Sequence, residues 1–106
     1  MITLNRLAAD ALQSLPAGVV HACTDVTGFG LAGHALELAR GAQCQMRIDW
    51  ASVPLLAGAR DLAAQGFVTG ASGRNWVGYG QDVALAAGFA AVDQALLTDP
   101  QTSGGL

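Results

Sequence analysis

The chain has 106 residues, 52% hydrophobic and 12% charged, with a net charge of -3. That length sets one domain able to bury roughly 60 to 65 per cent of its unfolded surface, and that apolar balance excludes a disordered chain. Five Lys and Arg in total are too few to build a nucleic-acid or anionic-membrane surface by phosphate neutralisation. With no apolar run of spanning length and no signal-peptide layout, the expectation is a cytoplasmic protein without nucleic-acid or membrane partners.

Leu4, Leu7, Ala8, Ala11, Leu12 and Leu15 recur at helical spacing, with Thr3 as a cap and Pro16 to Gly18 as a stop. Residues 19–23 form a short apolar run and predict a strand ending at Thr24 and Asp25. A second helix is predicted over 30–40, with Leu31, Ala35, Leu38 and Ala39 on one face, His34, Glu37 and Arg40 on the other, and Gly41 as its stop. Alternation over 43–48 predicts another strand, and Ser52 caps a third helix running to Gly66.

The glycine-rich, aromatic stretch 66–80 reads as a long ordered loop. Residues 83–95 give a weak helix signal interrupted by Gly88, and 96–98 a short strand. Cys23 and Cys44 make no disulfide framework and no metal spacing; two buried free thiols are expected.

The stretch 22–33 concentrates the chemistry, with Asp25 flanked by Thr24 and Thr27 and followed by glycines at a helix start. Asp25 reads either as a helix cap, which the residues alone favour, or as a hard-oxygen ligand for Mg²⁺ against phosphates. Gly28, Gly30 and Gly33 with Asp49 match a dinucleotide-binding spacing, but a polar segment stands where that fingerprint needs a tight turn. His34 reads as structural. Ser72, Gly73, Arg74 and Asn75 suit either phosphate oxygens or an ordinary turn, and Trp76 and Tyr79 are expected to pack the loop.

Three segments, Thr24-Asp25-Val26-Thr27-Gly28-Phe29-Gly30 within 22–34, Gly73-Arg74-Asn75, and Thr98-Asp99-Pro100-Gln101-Thr102-Ser103-Gly104-Gly105 within 97–106, together resemble the C-terminal domain of the selenophosphate synthetase (selenide, water dikinase) family, within the wider aminoimidazole ribonucleotide synthetase-like group. The resemblance covers essentially the whole chain and displaces the dinucleotide reading. It implies an α+β fold, a mixed β-sheet with helices packed mainly on one face, cut short where the family continues into another strand. It also implies one domain over 1–106 with the N-terminal ATP-binding domain absent.

The implied reaction converts ATP, selenide and water to selenophosphate, AMP and phosphate, with Mg²⁺ holding the triphosphate. Carried over by motif, Asp25 is the implied metal ligand, with Thr24, Thr27, Gly28, Gly30, Arg74 and Asn75 as implied nucleotide-site residues. The segment 99–105 has an implied structural or cleft-lining part. No catalytic residue lies in this chain: the family's reactive cysteine or selenocysteine, lysine and other metal aspartates belong to the missing domain, and the chain has no lysine. Partners implied are that ATP-binding domain, in cis or trans, and a second copy in a full-length homodimer. A competing reading is a stand-alone binding or regulatory domain docking on a separate ATP-binding subunit.

Overall fold

A computed structural model describes residues 4–101, and among them the backbone forms helices and extended links with no strand. The helices are α1 (Arg6–Gln13), α2 (Gly30–Gly41), α3 (Ala59–Ala64), α4 (Gly70–Tyr79) and α5 (Ala91–Leu97), with single 3-10 turns at Trp50–Ser52 and Gly80–Asp82. This corrects the expected mixed-sheet α+β fold. Segments 20–27 and 45–49 take no helix or turn, yet no described backbone hydrogen bond joins one to the other. A strand exists only by lateral pairing, and alternation alone does not supply the partner.

The expected strand at 96–98 is instead the last turn of α5. The Thr98 amide donates to the Gln94 carbonyl at 3.2 Å, continuing the helical register. The expected helix over 83–95 is confined to α5, because Gly88 takes a left-handed backbone (φ +75°) within the turn that precedes it. The third helix is likewise shortened to α3, between left-handed Gly58 (φ +79°) and Gly66 (φ +95°). Ser52 does not cap it; its hydroxyl donates to the Asp49 carboxylate at 2.7 Å across the 3-10 turn.

The largest gain over expectation is α4, in the stretch that reads as a loop. Each interior glycine costs roughly 1 kcal/mol against alanine in a helix. Two effects offset this. Thr69 caps the helix, its hydroxyl accepting the Ser72 amide at 3.2 Å. Ser72, Asn75 and Tyr79, at helical spacing, then bond to neighbouring segments.

Helix α2 occupies its expected place and runs on through Gly41. Its stop is Gln43, in a left-handed conformation (φ +53°), with the Cys44 amide donating to the Ala39 carbonyl at 2.9 Å. That is the Schellman closure, built on glutamine instead of the expected glycine. The buried side of α2 is Gly30, Ala32, Gly33, His34 and Ala35, so His34 faces inward with the small residues rather than outward with Glu37 and Arg40.

Helices α2, α4 and α5 pack on one another, and α3 packs on α5. Arg60 of α3 forms a bidentate pair with the buried Asp93 carboxylate of α5, at 3.0 and 2.7 Å. Arg40 at the end of α2 pairs with Asp82 at 2.7 Å. The buried apolar side chains are small, Ala32, Ala35 and Ala63 with Leu97. Larger ones such as Leu4, Leu7, Leu56, Phe67 and Val77 stand exposed.

Leu12 of α1 and Leu15 just after it, with Leu38 of α2, Ala42 at its C-cap, and Cys44 and Met46 beyond, line an open apolar hollow of about 370 Å³. Cys23 and Cys44 are free and exposed, which corrects the expectation of buried thiols. Alternating side chains are buried only where a second layer covers them, and neither extended segment has one here. No described helix is long and apolar enough to cross a membrane.

Candidate functional site

The loop 24–29, between the first extended segment and α2, is where the three motifs meet. Its backbone is held from several directions. The Thr27 carbonyl accepts both the Gly30 amide at 3.2 Å and the Gln101 amide at 2.9 Å. The Asn75 side-chain amide donates to the Gly28 carbonyl at 2.9 Å and to the Thr98 carbonyl at 3.0 Å. The Tyr79 hydroxyl donates to the Phe29 carbonyl. Burial pushes the Tyr79 hydroxyl above its ordinary value, with the Gly33 backbone opposing that shift.

Below the loop, Ser72 and Thr98 are nearly inaccessible, at 2% and 1% exposure. The Ser72 hydroxyl donates to the Ala95 carbonyl at 2.6 Å and lies 2.6 Å from the Thr98 hydroxyl. This buried pair locks α4 to the end of α5, and so fixes Asn75 relative to Thr98. Among the described residues no buried side-chain polar atom is left without a hydrogen-bond partner, as a rigid polar support requires.

Gly30 and Gly33 permit close approach of other segments. A side chain at Gly30 (φ +72°) would place its Cβ 2.7 Å from the Thr98 carbonyl carbon, and one at Gly33 would lie 2.8 Å from the Tyr79 ring. Gly28, by contrast, has nothing within 4 Å of the corresponding position.

Asp25 lies exposed in the extended segment. The residue at the N-cap of α2 is Phe29, and no side chain caps that helix. The capping role that the residues alone favoured is therefore not made. Thr24 donates its hydroxyl to the Asp25 carbonyl at 3.1 Å, leaving the carboxylate outside that bond.

Asp99 sits on the far side of the cluster and accepts the Thr69 hydroxyl at 3.0 Å, a structural contact. Arg74 is exposed and lies over Gly70, its guanidinium 3.2 Å from where a Gly70 Cβ would be. No described hydrogen bond takes Arg74 to the loop. Of the adjoining motif residues, Asn75 reaches the loop and Arg74 does not. Residues 102–105 of the third motif lie outside the described residues.

Sequence reasoning did not assign Ser72, Tyr79 and Thr98 to this cluster. The available signal was the spacing of Ser72, Asn75 and Tyr79, a polar stripe at helical period inside a stretch whose glycines suggest a loop. His34 and Glu37 extend the support: His34 Nε2 is 3.1 Å from the Thr27 hydroxyl, and Nδ1 is 2.8 Å from the Glu37 carboxylate. The structural reading of His34 agrees with its burial at 6% exposure, beside the Phe29 ring.

Among the described residues no group of three or more His, Cys, Asp or Glu could hold a metal ion. An exposed carboxylate with neighbouring hydroxyl oxygens fits Mg²⁺ as one hard-oxygen ligand of its octahedron, not as a complete site.

The family described as AIR synthase related protein, C-terminal domain, matches residues 2–95. The selenide, water dikinase of Burkholderia orbicola (strain MC0-3) is 64% identical over 103 residues, 97% of this chain and 28% of that protein. That of Pseudomonas straminea is 66% identical over 87 residues, 82% of this chain and 24% of that protein. The protein of the same name from Rhizobium meliloti (strain 1021) is 53% identical over 103 residues, 97% of this chain and 29% of that protein. The chain thus spans under a third of the length of these curated relatives. Matched along nearly its whole length and sharing that similarity, the chain belongs to the AIR synthase related protein, C-terminal domain, family.

Proposed function

We propose that this chain acts as the C-terminal domain of a selenide, water dikinase and contributes Asp25 to the Mg²⁺ and phosphate site. The observation that carries this reading is an exposed carboxylate, free of the capping role, on a loop whose next residues are tied down by α2, α4 and the segment after α5. A fold that rigidifies a loop around an exposed acid favours its use as a ligand over a purely structural part.

In the proposed reaction ATP, selenide and water give selenophosphate, AMP and phosphate. Bound Mg²⁺ supplies neutralisation of charge on the transferring phosphoryl groups. Asp25 provides one oxygen to that ion. Thr24, Thr27, Gly28 and Gly30 shape the loop, and Asn75 holds it. Arg74 remains a candidate for phosphate contact through its exposed guanidinium. ATP binding, the remaining metal ligands and the reacting groups are assigned to an ATP-binding domain in cis or trans, in a cytoplasmic homodimer.

Alone, the chain is expected to show no selenide-dependent ATP breakdown. The test mixes it with a matching ATP-binding domain and titrates Mg²⁺ and a non-hydrolysable ATP analogue by calorimetry, comparing Asp25 with Asp25→Asn. Magnesium-dependent binding that collapses in the variant supports the reading. Unchanged binding removes Asp25 from the metal site.

A further inference from the structure

Three side chains run in a hydrogen-bonded line behind the loop: the Glu37 carboxylate, the His34 ring and the Thr27 hydroxyl. An ionised carboxylate can only accept, so the imidazole nitrogen facing it, Nδ1, carries the hydrogen. In the neutral ring Nε2 is then an acceptor, and the Thr27 hydroxyl at 3.1 Å must donate to it. Its single proton is committed inward, and its oxygen is left with lone pairs alone.

We infer that Glu37 and His34 are positioning residues that make Thr27 an acceptor-only hydroxyl, suited to the water shell of a hydrated divalent cation beside Asp25 and unsuited to phosphate oxygens. The inference rests on the proposed cation role of Asp25. It narrows that role, since a threonine in a phosphate site would be expected to donate. Other polar groups of this line's surroundings are already engaged: the Tyr79 hydroxyl with the Phe29 carbonyl, and the Asn75 amide with Gly28 and Thr98. The ring's buried position, with Phe29 tilted against it at 5.6 Å, disfavours a flip that would exchange its two nitrogens.

The test is nitrogen NMR of the His34 ring at about pH 8, joined to paramagnetic line broadening by Mn²⁺ as the probe cation, in this chain mixed with a matching ATP-binding domain and a non-hydrolysable ATP analogue. The expected ring signature is the Nδ1–H tautomer, the less common one for a free histidine. Glu37→Ala removes only a half-exposed carboxylate from a helix surface and should fold; it is expected to convert the ring to Nε2–H. The Mn²⁺ concentration that broadens the Asp25 and Thr27 amides should rise several-fold in Glu37→Ala. His34→Gln, whose amide oxygen can still accept from Thr27, should recover most of the wild-type response.

An Nε2–H ring in the wild-type chain would overturn the inference. So would an unchanged Mn²⁺ response in Glu37→Ala despite a converted ring. Absence of broadening at Asp25 in the wild type, with the Nδ1–H ring present, would instead overturn the cation site itself and with it the role of Thr27 there.

Discussion

Asn75 and Gly28 lie 47 positions apart in the chain, and the Asn75 amide donates to the Gly28 carbonyl at 2.9 Å. The same amide group reaches the Thr98 carbonyl at 3.0 Å, so one side chain of α4 joins the loop that carries Asp25 to the end of α5. Removing it with Asn75→Ala should cost about 1–3 kcal/mol, the range for leaving the part-buried Thr98 acceptor unpaired. Urea unfolding measures this. Asn75→Asp, which keeps the size but loses the donors, should be no better.

Gly28 and Gly30 belong to one motif but face different surroundings. Gly30→Ala should destabilise by at least about 2 kcal/mol, because a left-handed backbone resists a Cβ and that Cβ meets the Thr98 carbonyl at 2.7 Å. Gly28→Ala has open space and should stay within roughly 0.5 kcal/mol of wild type. Thermal melts of the two variants check the contrast.

Tyr79 is the protein's one tyrosine, so phenolate absorbance reports it alone. Burial raises its ionisation above the ordinary 10.0, against a smaller lowering from the Gly33 backbone. A folded-state value above the unfolded one means that this group's stabilisation is fully present below the unfolded value and is lost as pH rises through the folded one. The native midpoint should therefore lie above that of the urea-unfolded chain, and Tyr79→Phe should remove this part of the alkaline loss of stability.

The Arg60 guanidinium, by direct hydrogen bonding, holds the Asp93 carboxyl below its ordinary 3.8, helped by the Trp50 side chain and opposed by burial. With the folded value depressed, the contribution is present above the unfolded value and is lost as pH falls through the folded one. Stability of the wild type should decline on acidification below about pH 4. Asp93→Asn should lower the melting temperature at neutral pH and flatten that acid limb.

The candidate loop was legible from residues because its chemistry is local. A lone acid between threonines, followed by glycines at a helix start, marks 24–33 without any tertiary knowledge. Helix α2 was legible for the same reason, through its run of good helix formers. Helix α4 was not, since Gly70, Gly73 and Gly78 argue against a helix and only the Thr69 cap and the bonds from Ser72, Asn75 and Tyr79 overrule them. The strands failed differently: 19–23 is a short apolar run and 43–48 carries the alternation of a half-buried strand, but pairing is a property of two segments, and neither pattern names its partner.

By itself, the sequence determined that the chain folds, that it lacks a basic surface, where its acid-bearing loop lies, and which family its motifs resemble. All of these depend on composition or on residues close in the chain. Tertiary structure decided that Asp25 is not a cap, that Asn75 rather than Arg74 reaches its loop, that Gly30 serves backbone contact, and that His34 faces inward toward Thr27. Each of these turns on groups brought together from distant positions, where distance, burial and the allocation of donors and acceptors exist only once the helices have packed.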